Sequence, residues 1–370
     1  MPGITAAQTA TPATHKEVAD LLRSTDPRST VVPAGAGTKT GWAAPPTSCD
    51  LLLRTTGLDR ITEYAPGDLV VVAEAGVPLA ALQRELAGHG QMLALDPPEP
   101  GATLGGIVGA NASGPRRLRY GTVRDLLIGV TVVLADGTVA RAGGKVVKNV
   151  AGYDLGKLYT GAHGGLGVVT STTWRLHPLP PAAGAVTVPV PDHATAGRYA
   201  ALLARSTLTP TAVELRFGPG KPELVALFES IPASVGHQTE AAVGLLGGGT
   251  VTDAPPAWFG ARPAGPLVLR LAYEPFALPH VLDALPAGAA GTASACTGVA
   301  YATVPAGTDL AALRTAIAPY DGSAVVLAAP DGADLDHWGP PGDSFALMTR
   351  VKDRFDPTRR LSPGRLLGGL

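Results

Sequence analysis

Glycine and small polar residues are concentrated in residues 96–121, which have the sequence DPPEPGATLGGIVGANASGPRRLRYG. Six glycines alternate there with residues that include one asparagine, one serine and one tyrosine. Glycine loses more backbone entropy on ordering than any other residue, so the stretch is a poor helix and a poor strand by itself. We expect a large ligand to lie directly on this backbone, because only positions without side chains allow so close an approach.

Two further segments are rich in glycine: residues 35–41, GAGTKTG, and residues 145–170, KVVKNVAGYDLGKLYTGAHGGLGVVT. The first follows a predicted strand at residues 30–33 and suits a nest of backbone N–H groups around an anion. Thr38 adds a hydroxyl and Lys39 a positive charge, which favours a diphosphate. Taken alone, residues 35–41 are equally consistent with an ordinary turn. Three separated glycine-rich segments together predict a long ligand, and a dinucleotide fits better than a mononucleotide.

Two other phosphate-binding patterns do not match the sequence. A Walker loop needs G-x-x-x-x-G-K-[ST], and the run from Gly152 to Lys157 is one residue too short. A Rossmann fingerprint needs G-x-G-x-x-G at the start of a helix. Residues 35–41 place three residues before the last glycine, and a proline-rich loop follows.

Composition limits the class of protein. The chain has 370 residues, 45% hydrophobic and 16% charged, with a formal net charge of −1. This length predicts two domains, and the charge balance does not favour nucleic acid as a partner. Two cysteines, Cys49 and Cys296, are too few for an iron–sulfur cluster. We expect no signal peptide and no membrane span, because the uncharged residues 285–308 are too weakly apolar. The expected location is cytoplasmic, peripheral to the inner membrane only through partner subunits.

The periodicity of apolar residues predicts an α+β protein. A frayed tail over residues 1–13 precedes a helix at 14–23, and short strands then alternate with a helix at 78–87. Beyond residue 180 apolar strand-like runs alternate with helical patches, which indicates a second α+β domain on an antiparallel sheet. A helix at 345–355 begins the last segment. We therefore expect a first domain at 1–180, a second at 181–342, and a C-terminal segment, 343–370, that returns to the first.

Residues 28–178 and 343–367 resemble the FAD-linked oxidases of the vanillyl-alcohol-oxidase fold, with their PCMH-type FAD-binding domain. The matching motifs are VVPAGAGTK, LDPPEPGATLGGIVGANASG, RYGTVRDLLIGVTVVLADG, KNVAGYDLGKLYTGAHGGLGVVT and the C-terminal FDP and LSPGR. Within that family the chain is most similar to the FAD-binding subunits of glycolate oxidase. The resemblance implies a two-subdomain FAD-binding domain followed by a cap domain, with FAD as cofactor.

The resemblance also implies which residues bind the FAD. The segment around the diphosphate would comprise Pro33, Ala34, Gly35, Ala36, Gly37, Thr38 and Lys39. The diphosphate and isoalloxazine would be lined by Pro97, Gly101, Ala102, Thr103, Gly105 and Gly106. The same wall would continue through Asn111, Ser113, Gly114, Tyr120 and Gly121, and the adenosine side would be held by Gly164, Gly165 and Val169. A valine at Gly105 or Gly106 is expected to abolish FAD retention by filling the cofactor's space.

The chain departs from its catalytic relatives in three ways. They usually carry arginine where this chain has Ala34, and an H-x-G-D-G-N-x-H segment in the cap domain that is absent here. Many relatives attach the flavin to a histidine in the first loop, and no histidine lies between residues 33 and 49. We therefore predict non-covalent FAD, no metal ligands and no identified catalytic residue. His163 is a candidate cofactor contact or a surface turn. Arg216 and Arg270 are candidate carboxylate ligands or outward-facing strand residues.

An intact flavin site beside an incomplete substrate site is typical of a subunit that works with a catalytic partner. The resemblance implies an FAD-binding subunit of a glycolate oxidase or D-2-hydroxy-acid dehydrogenase complex. Its partners would be a larger catalytic flavin subunit and an iron–sulfur subunit. Two alternatives stay open at this point. One is a stand-alone FAD-dependent oxidoreductase that acts on a small hydroxy acid or alcohol. The other is a flavin-free structural subunit that kept the fold.

Overall fold

The computed structural model describes residues 5–145, 154–330 and 332–370. The chain divides into two compact units, each assembled from segments that are distant in sequence. The first unit comprises Met1–Ser113, Thr122–Leu179 and Pro340–Leu370. The second comprises Gly114–Gly121 and Pro180–Gly339. The C-terminal segment therefore belongs to the first unit, and the last eight residues of the glycine-rich stretch 96–121 belong to the second.

The strands of the first unit are β1 (Gln8–Ala10), β2 (Val31–Ala34), β3 (Leu51–Arg54), β4 (Ile61–Ala65), β5 (Val70–Glu74), β6 (Gln91–Met92), β7 (Leu127–Val133), β8 (Val139–Gly143), β9 (Val168–Arg175) and β10 (His177–Pro178). Those of the second unit are β11 (Ala182–Pro189), β12 (Ala212–Phe217), β13 (Glu223–Ser230), β14 (Thr250–Thr252), β15 (Leu267–Ala272), β16 (Ala290–Ser294), β17 (Val299–Val304) and β18 (Ser323–Ala328).

The α-helices of the first unit are α1 (His15–Ser24), α2 (Leu79–Ala87), α3 (Leu104–Ala110), α5 (Val123–Leu126), α6 (Leu155–Tyr159) and α11 (Phe345–Phe355). The second unit contains α4 (Arg117–Tyr120), α7 (His193–Arg205), α8 (Pro232–Leu246), α9 (Leu278–Asp283) and α10 (Leu310–Ile317). Among these described helices, none combines the length and the hydropathy that crossing a bilayer requires.

Two main sheets build the first unit. A parallel sheet has the order β1-β3-β2, and an antiparallel sheet has the order β4-β5-β9-β7-β8. Helix α1 begins at its cap Thr14, whose side chain accepts a hydrogen bond from the backbone of Glu17. This helix buries Val18 and Leu22 against the strands. Leu361 from the C-terminal segment joins the same core and forms a parallel bridge with Val31 of β2.

One antiparallel sheet of eight strands builds the second unit, in the order β14-β11-β13-β12-β16-β17-β15-β18. Helices α7 to α10 pack on one face and enclose the hydrophobic core with residues such as Leu215, Leu269 and Ala302. Successive residues of a strand point to opposite faces, so the neighbours of these core residues lie on the other face. That second face carries polar and charged side chains.

The predicted α+β class, with an antiparallel sheet in the second part of the chain, is confirmed. Two local expectations were wrong. Residues 8–10 belong to a strand, because their backbone pairs in parallel with β3. The glycine-rich stretch contains a helix, α3, in spite of its low propensity. Gly105 explains why, since its N–H donates to Ala75 O at 2.7 Å and an added Cβ would lie 2.7 Å from Ala75 Cβ. Close packing against β5 therefore stabilises a helix that propensity alone would not form.

Candidate functional site

A cavity in the first unit brings the glycine-rich segments together. Its empty volume is about 730 Å³, counting the space that opens to solvent. The lining residues are Pro33, Ala34, Gly35, Ala36, Gly37, Thr38, Lys39, Thr40, Thr55, Thr103, Gly105, Gly106, Gly109, Ala110, Tyr159, Ala162, His163, Gly164, Gly167, Val169 and Arg365.

The first wall of the cavity is the loop that leaves β2. Buried Val31 and Val32 fix the strand in the core, and the chain then turns at Gly37, whose φ of 82° is in the left-handed region. Glycine adopts that conformation without steric cost. The turn leads into Lys39, which is only 7% exposed and whose Nζ donates to Thr38 Oγ1 at 2.9 Å. The strand and turn together therefore hold a buried ammonium group at the cavity wall.

Helix α3 forms the second wall. Thr103 precedes the helix, and its buried hydroxyl has no hydrogen-bond partner within the described part of the chain. Gly106 and Gly109 both line the cavity. A Cβ built on Gly109 would meet no atom within 4 Å, and one on Gly106 would approach only the Thr103 hydroxyl, at 3.2 Å. Within the part of the chain that the structure describes, these two glycines leave open space that protein packing does not require.

The third wall comes from the segment between α6 and β9. Tyr159 buries its ring there, and its hydroxyl has no hydrogen-bond partner among the described residues. Burial raises the pKa of Tyr159 to about 12, so the phenol stays protonated at neutral pH. His163 has a φ of 48° and its N–H donates to Gly109 O at 2.8 Å, which joins this segment to α3. Residues 146–153 of the same glycine-rich segment lie outside the described residues.

The C-terminal segment adds a second cation to the cavity. Arg365 is 3% exposed, and its Nη2 donates to the carbonyl of Trp42 at 2.8 Å. Burial lowers the pKa of Arg365 to about 10, which still leaves the guanidinium protonated at neutral pH. A lowered pKa means that the buried charge would gain from a nearby anion. Lys39 and Arg365 thus give the cavity positive charge of the kind that a diphosphate needs.

A buried ion pair holds the C-terminal segment beside the third wall. Lys352 of α11 is 1% exposed and donates from Nζ to Asp356 Oδ2 at 2.7 Å, Gly165 O at 2.7 Å and Leu361 O at 2.8 Å. All three donor hydrogens of the ammonium group are used. Gly165 lies next to the cavity-lining Gly164, so Lys352 supports the loop without lining the cavity itself.

These features fit an FAD molecule. The cavity offers two buried cations, two glycines whose Cβ positions are open, and two buried hydroxyls without a partner among the described residues. Buried polar groups are normally satisfied, so unpartnered hydroxyls at a cavity wall indicate a polar ligand. Glycine allows the backbone of α3 to approach such a ligand closely.

Twelve of the predicted cofactor residues line this cavity. They are Pro33, Ala34, Gly35, Ala36, Gly37, Thr38, Lys39, Thr103, Gly105, Gly106, Gly164 and Val169. In the first unit but outside the lining are Pro97, Gly101, Ala102, Asn111, Ser113 and Gly165. The second unit contains Gly114, Tyr120 and Gly121. The assignment of FAD contacts to individual residues stays a prediction.

Sequence reasoning missed several polar side chains at the cavity, among them Tyr159 and Arg365. Both lie in motifs that carried the family resemblance, KLYTGAHGG and LSPGR, so the motifs were a usable signal. The structure shows a packing reason for Gly105 beside the predicted role toward FAD, which stays a prediction. A Cβ there would meet Ala75, so this glycine is required by protein packing, and Gly109 is the position where a side chain would enter open space.

The second unit has its own polar cluster, on the sheet face opposite the helices. Arg216 is paired with Glu223 at 2.8 Å and lies over the Trp258 ring, so its charge is already compensated. Arg270 has a different setting, since it is the direct cross-strand partner of Tyr301. The structure therefore distinguishes Arg216, which is paired with Glu223, from Arg270, although the sequence offered both as candidate carboxylate ligands.

The similarity of this chain to known proteins agrees with an FAD site in the cavity. Residues 6–143 match the family described as FAD binding domain. Over 122 residues the chain is 43% identical to "Glycolate oxidase subunit GlcE" of Escherichia coli (strain K12), covering 32% of this chain and 35% of that protein. It is 36% identical over 174 residues to "Glycolate oxidase subunit GlcD" of Bacillus subtilis (strain 168), covering 46% and 36%.

Further similarities extend along the chain. It is 35% identical over 207 residues to "D-lactate dehydrogenase" of Archaeoglobus fulgidus, covering 55% of this chain and 46% of that protein. The chain thus spans between about one third and one half of the length of these relatives. A solved structure of alkyldihydroxyacetonephosphate synthase superposes with a TM-score of 0.70 at 16% identity, covering 97% of this chain and 77% of that one. At such low identity the similarity concerns the fold.

Residues 6–143 match the FAD binding domain family, and this match together with the cavity supports FAD as the cofactor, as the sequence predicted. The chain is similar to glycolate oxidase subunits and to FAD-linked dehydrogenases, which confirms the resemblance seen in its motifs.

Proposed function

We propose that this chain is the FAD-binding subunit of a multi-subunit glycolate oxidase or D-2-hydroxy-acid dehydrogenase. In that role it would pass electrons between a larger catalytic flavin subunit and an iron–sulfur subunit. The observation that carries the proposal is the cavity of the first unit, with its open glycines, unpartnered hydroxyls and buried cations. Two of the similar proteins are named as subunits of glycolate oxidase, which supports a shared assembly.

Different residues of the cavity would contact different parts of the FAD. Lys39 and Arg365 would neutralise the diphosphate, because charge-assisted hydrogen bonds from buried cations are strong. Gly106 and Gly109 would let the cofactor lie against the backbone of α3. The hydroxyls of Thr103 and Tyr159 would donate or accept hydrogen bonds that the protein itself leaves unmade. When bound, FAD supplies reversible electron transfer, which no side chain of this protein provides.

The iron–sulfur part of the proposal follows from cysteine content. Cys49 and Cys296 are the only cysteines of the chain, and a cluster needs about four thiolates. Burial raises the pKa of the Cys296 thiol to about 12, so this residue is a poor ligand and a poor nucleophile. Any iron–sulfur relay in the complex would therefore be held by another chain.

Affinity capture of the tagged full-length chain from its native cells tests the proposal. We expect stoichiometric recovery of a larger flavoprotein and a cysteine-rich iron–sulfur protein. The captured assembly should be reduced anaerobically by glycolate or D-lactate, and the purified chain alone should keep its oxidised flavin spectrum under the same conditions. Recovery of a lone monomer with full turnover would contradict the proposal.

A second candidate is a stand-alone oxidoreductase that oxidises a small hydroxy acid. The arginine cluster around Tyr301 in the second unit favours it, because guanidinium groups bind carboxylates. Anaerobic bleaching of the purified flavoprotein by glycolate or D-lactate, without any partner, would support this candidate against the first.

A further inference from the structure

The helical side of the second unit exposes an apolar and aromatic surface that the proposed FAD function does not use. Phe276 is 54% exposed and Leu202 is 36% exposed. Leu202 lies on α7, and Phe276 lies in the short turn Pro275–Ala277 that leads into α9. Together with their neighbours Arg205, His280 and Tyr320 we call these residues the Phe276 patch.

Phe276 is the centre of the patch, and α7 fixes its surroundings. The guanidinium of Arg205 lies 5.5 Å from the centre of the Phe276 ring. Leu202 precedes Arg205 by three residues, so the two side chains are neighbours on the helix surface. A cation over the face of an aromatic ring is an attractive contact, and it favours one orientation of the exposed ring. The apolar surface is therefore ordered before any partner binds.

A second pair of rings extends the patch along α9. His280 follows Phe276 by four residues and is exposed, whereas Leu278 and Val281 between and beside them are in the hydrophobic core. The His280 ring stacks on the Tyr320 ring, with centroids 4.9 Å apart and planes 2° from parallel. Aromatic residues and arginine are enriched at the centres of protein–protein interfaces. The composition of the patch is that of an interface.

The charges around Phe276 have both signs. Arg205 belongs to α7, and the exposed acids Glu274 and Asp321 lie beside Tyr320, whose carbonyl accepts a hydrogen bond from the Glu274 N–H at 3.0 Å. Within the described parts of the chain, neither Arg205 nor these two carboxylates takes part in an ion pair. Opposite charges that are left apart on different elements can each be paired by another molecule.

A surface with both signs of charge around an apolar centre can be complementary to itself. A two-fold axis brings the same surface of two copies together, so that residue i of one copy meets residue j of the other and the reverse. Arg205 of each copy would then meet Glu274 of the other, around a centre formed by Phe276 and Leu202. The formal net charge of the whole chain is −1, so two copies repel each other little.

We propose that the Phe276 patch is the contact surface of a two-fold symmetric dimer of this chain. The partner is a second copy of the chain, because the patch supplies both members of the charge pair that the contact requires. The inference goes beyond the proposed function, since the patch lies wholly within the second unit and needs neither FAD nor another kind of subunit.

Sedimentation velocity of the full-length, FAD-loaded chain over a range of micromolar concentrations tests the inference. We expect a reversible monomer–dimer equilibrium. Phe276→Asp should weaken the dimer by about 30-fold or more, because an aromatic residue at the centre of an interface is typically one of its strongest contacts. Ile231→Asp is the control, since Ile231 is 59% exposed in the second unit outside the patch. This control should dimerise like the unmodified chain.

Charge reversal tests the two-fold arrangement itself. Arg205→Glu and Glu274→Arg should each weaken self-association at least about tenfold, because each places like charges opposite one another. An equal mixture of the two variants should regain the dimer, because every facing pair is again of opposite sign. Such recovery also shows that both variants are folded. Lys221→Glu reverses an exposed charge outside the patch and should dimerise like the unmodified chain.

Each contrary result has a definite meaning. A chain that stays monomeric over the whole concentration range, or a dimer that is unaffected by Phe276→Asp, overturns the inference. Failure of the mixed variants to dimerise overturns the two-fold pairing of Arg205 with Glu274. Visible flavin absorbance, recorded in the same sedimentation run, reports FAD separately. A monomeric chain that retains FAD leaves the proposed function intact, and a dimer without FAD supports this inference and refutes the proposed function.

Discussion

The cavity of the first unit and the group formed by Arg117, Arg262, Arg270 and Tyr301 in the second, here called the Tyr301 cluster, both contain several cationic side chains, but they are built from different parts of the chain. The cavity consists mainly of backbone and glycine, with Lys39 and Arg365 as its buried cations. The cluster consists of long side chains from three separate parts of the sequence. A backbone site requires particular residues at fixed spacing, so it leaves a motif. A side-chain site requires only convergence in space, which short motifs do not record.

The largest effect that we predict is on the free energy of unfolding, and it concerns the buried ion pair that holds the C-terminal segment beside the cavity. Lys352→Met should lower the free energy of unfolding by about 3–5 kcal/mol, because it leaves the carboxylate of Asp356 buried and uncompensated. Urea unfolding of the apo protein measures this change. Arg359→Met, which breaks an exposed pair with Asp353, is the matched control and should cost less than about 1 kcal/mol. Equal effects of the two substitutions would show that the C-terminal segment does not support the cavity.

Substitutions at two glycines of α3 distinguish an effect on protein packing from an effect on ligand binding. Gly105→Val should destabilise the apo protein by about 1–3 kcal/mol, because the new side chain meets Ala75. Gly109→Val should change apo stability by less than about 1 kcal/mol and weaken FAD binding up to about 100-fold, because its side chain enters the cavity. Thermal unfolding and flavin titration of both variants measure the two effects. Unchanged FAD affinity in Gly109→Val would place the cofactor elsewhere.

Substitution of Arg365 tests whether the positive charge of the cavity contributes to FAD binding. Arg365→Met should weaken FAD binding by about 10- to 30-fold, since a hydrogen bond to a charged group contributes about 1.5–2 kcal/mol. Apo stability should not fall in proportion, because the substitution also removes a buried charge. Flavin titration at two salt concentrations is the measurement. Arg350→Met, on the exposed surface of α11, is the control. Identical FAD affinities for both variants would exclude Arg365 from the diphosphate site.

The smallest effect that we predict is a pH dependence of the free energy of unfolding, caused by Tyr301 in the second unit. The pKa of Tyr301 in the folded protein is about 8, below its ordinary value of 10.0, so the unfolded chain binds more protons between these values. Ionisation of Tyr301 therefore adds stability as the pH rises above about 8, and this contribution is lost again as the pH falls through 8. At about pH 9 the gain is about 1 kcal/mol. Urea unfolding of the unmodified chain and of Tyr301→Phe at several pH values should show a difference that grows with pH. A constant difference would mean that the arginines do not act on this phenol.

Much of the first unit could be predicted from the sequence. Apolar periodicity placed α1, α2 and α11 within a residue or two. The spacing of the glycine-rich segments predicted a dinucleotide, and the family resemblance of the motifs implied that it is FAD. Strands β16 and β17 were not predicted. Strand β16 contains Ala290, Gly291 and Ala293, whose residue types have weak strand propensity, and it pairs with β17 in the sheet.

The sequence by itself determined the cofactor, because a backbone binding site imposes glycine at positions close together in the chain. It also determined the α+β class, since each amphipathic segment must bury one face. Tertiary structure alone decided which glycine packs on protein and which faces open space, as the contrast between Gly105 and Gly109 shows. It also decided that Arg216 is neutralised by Glu223 while Arg270 joins Arg117 and Arg262 around one phenol. Such choices depend on distances between residues that lie far apart along the chain, and local sequence carries no record of those distances.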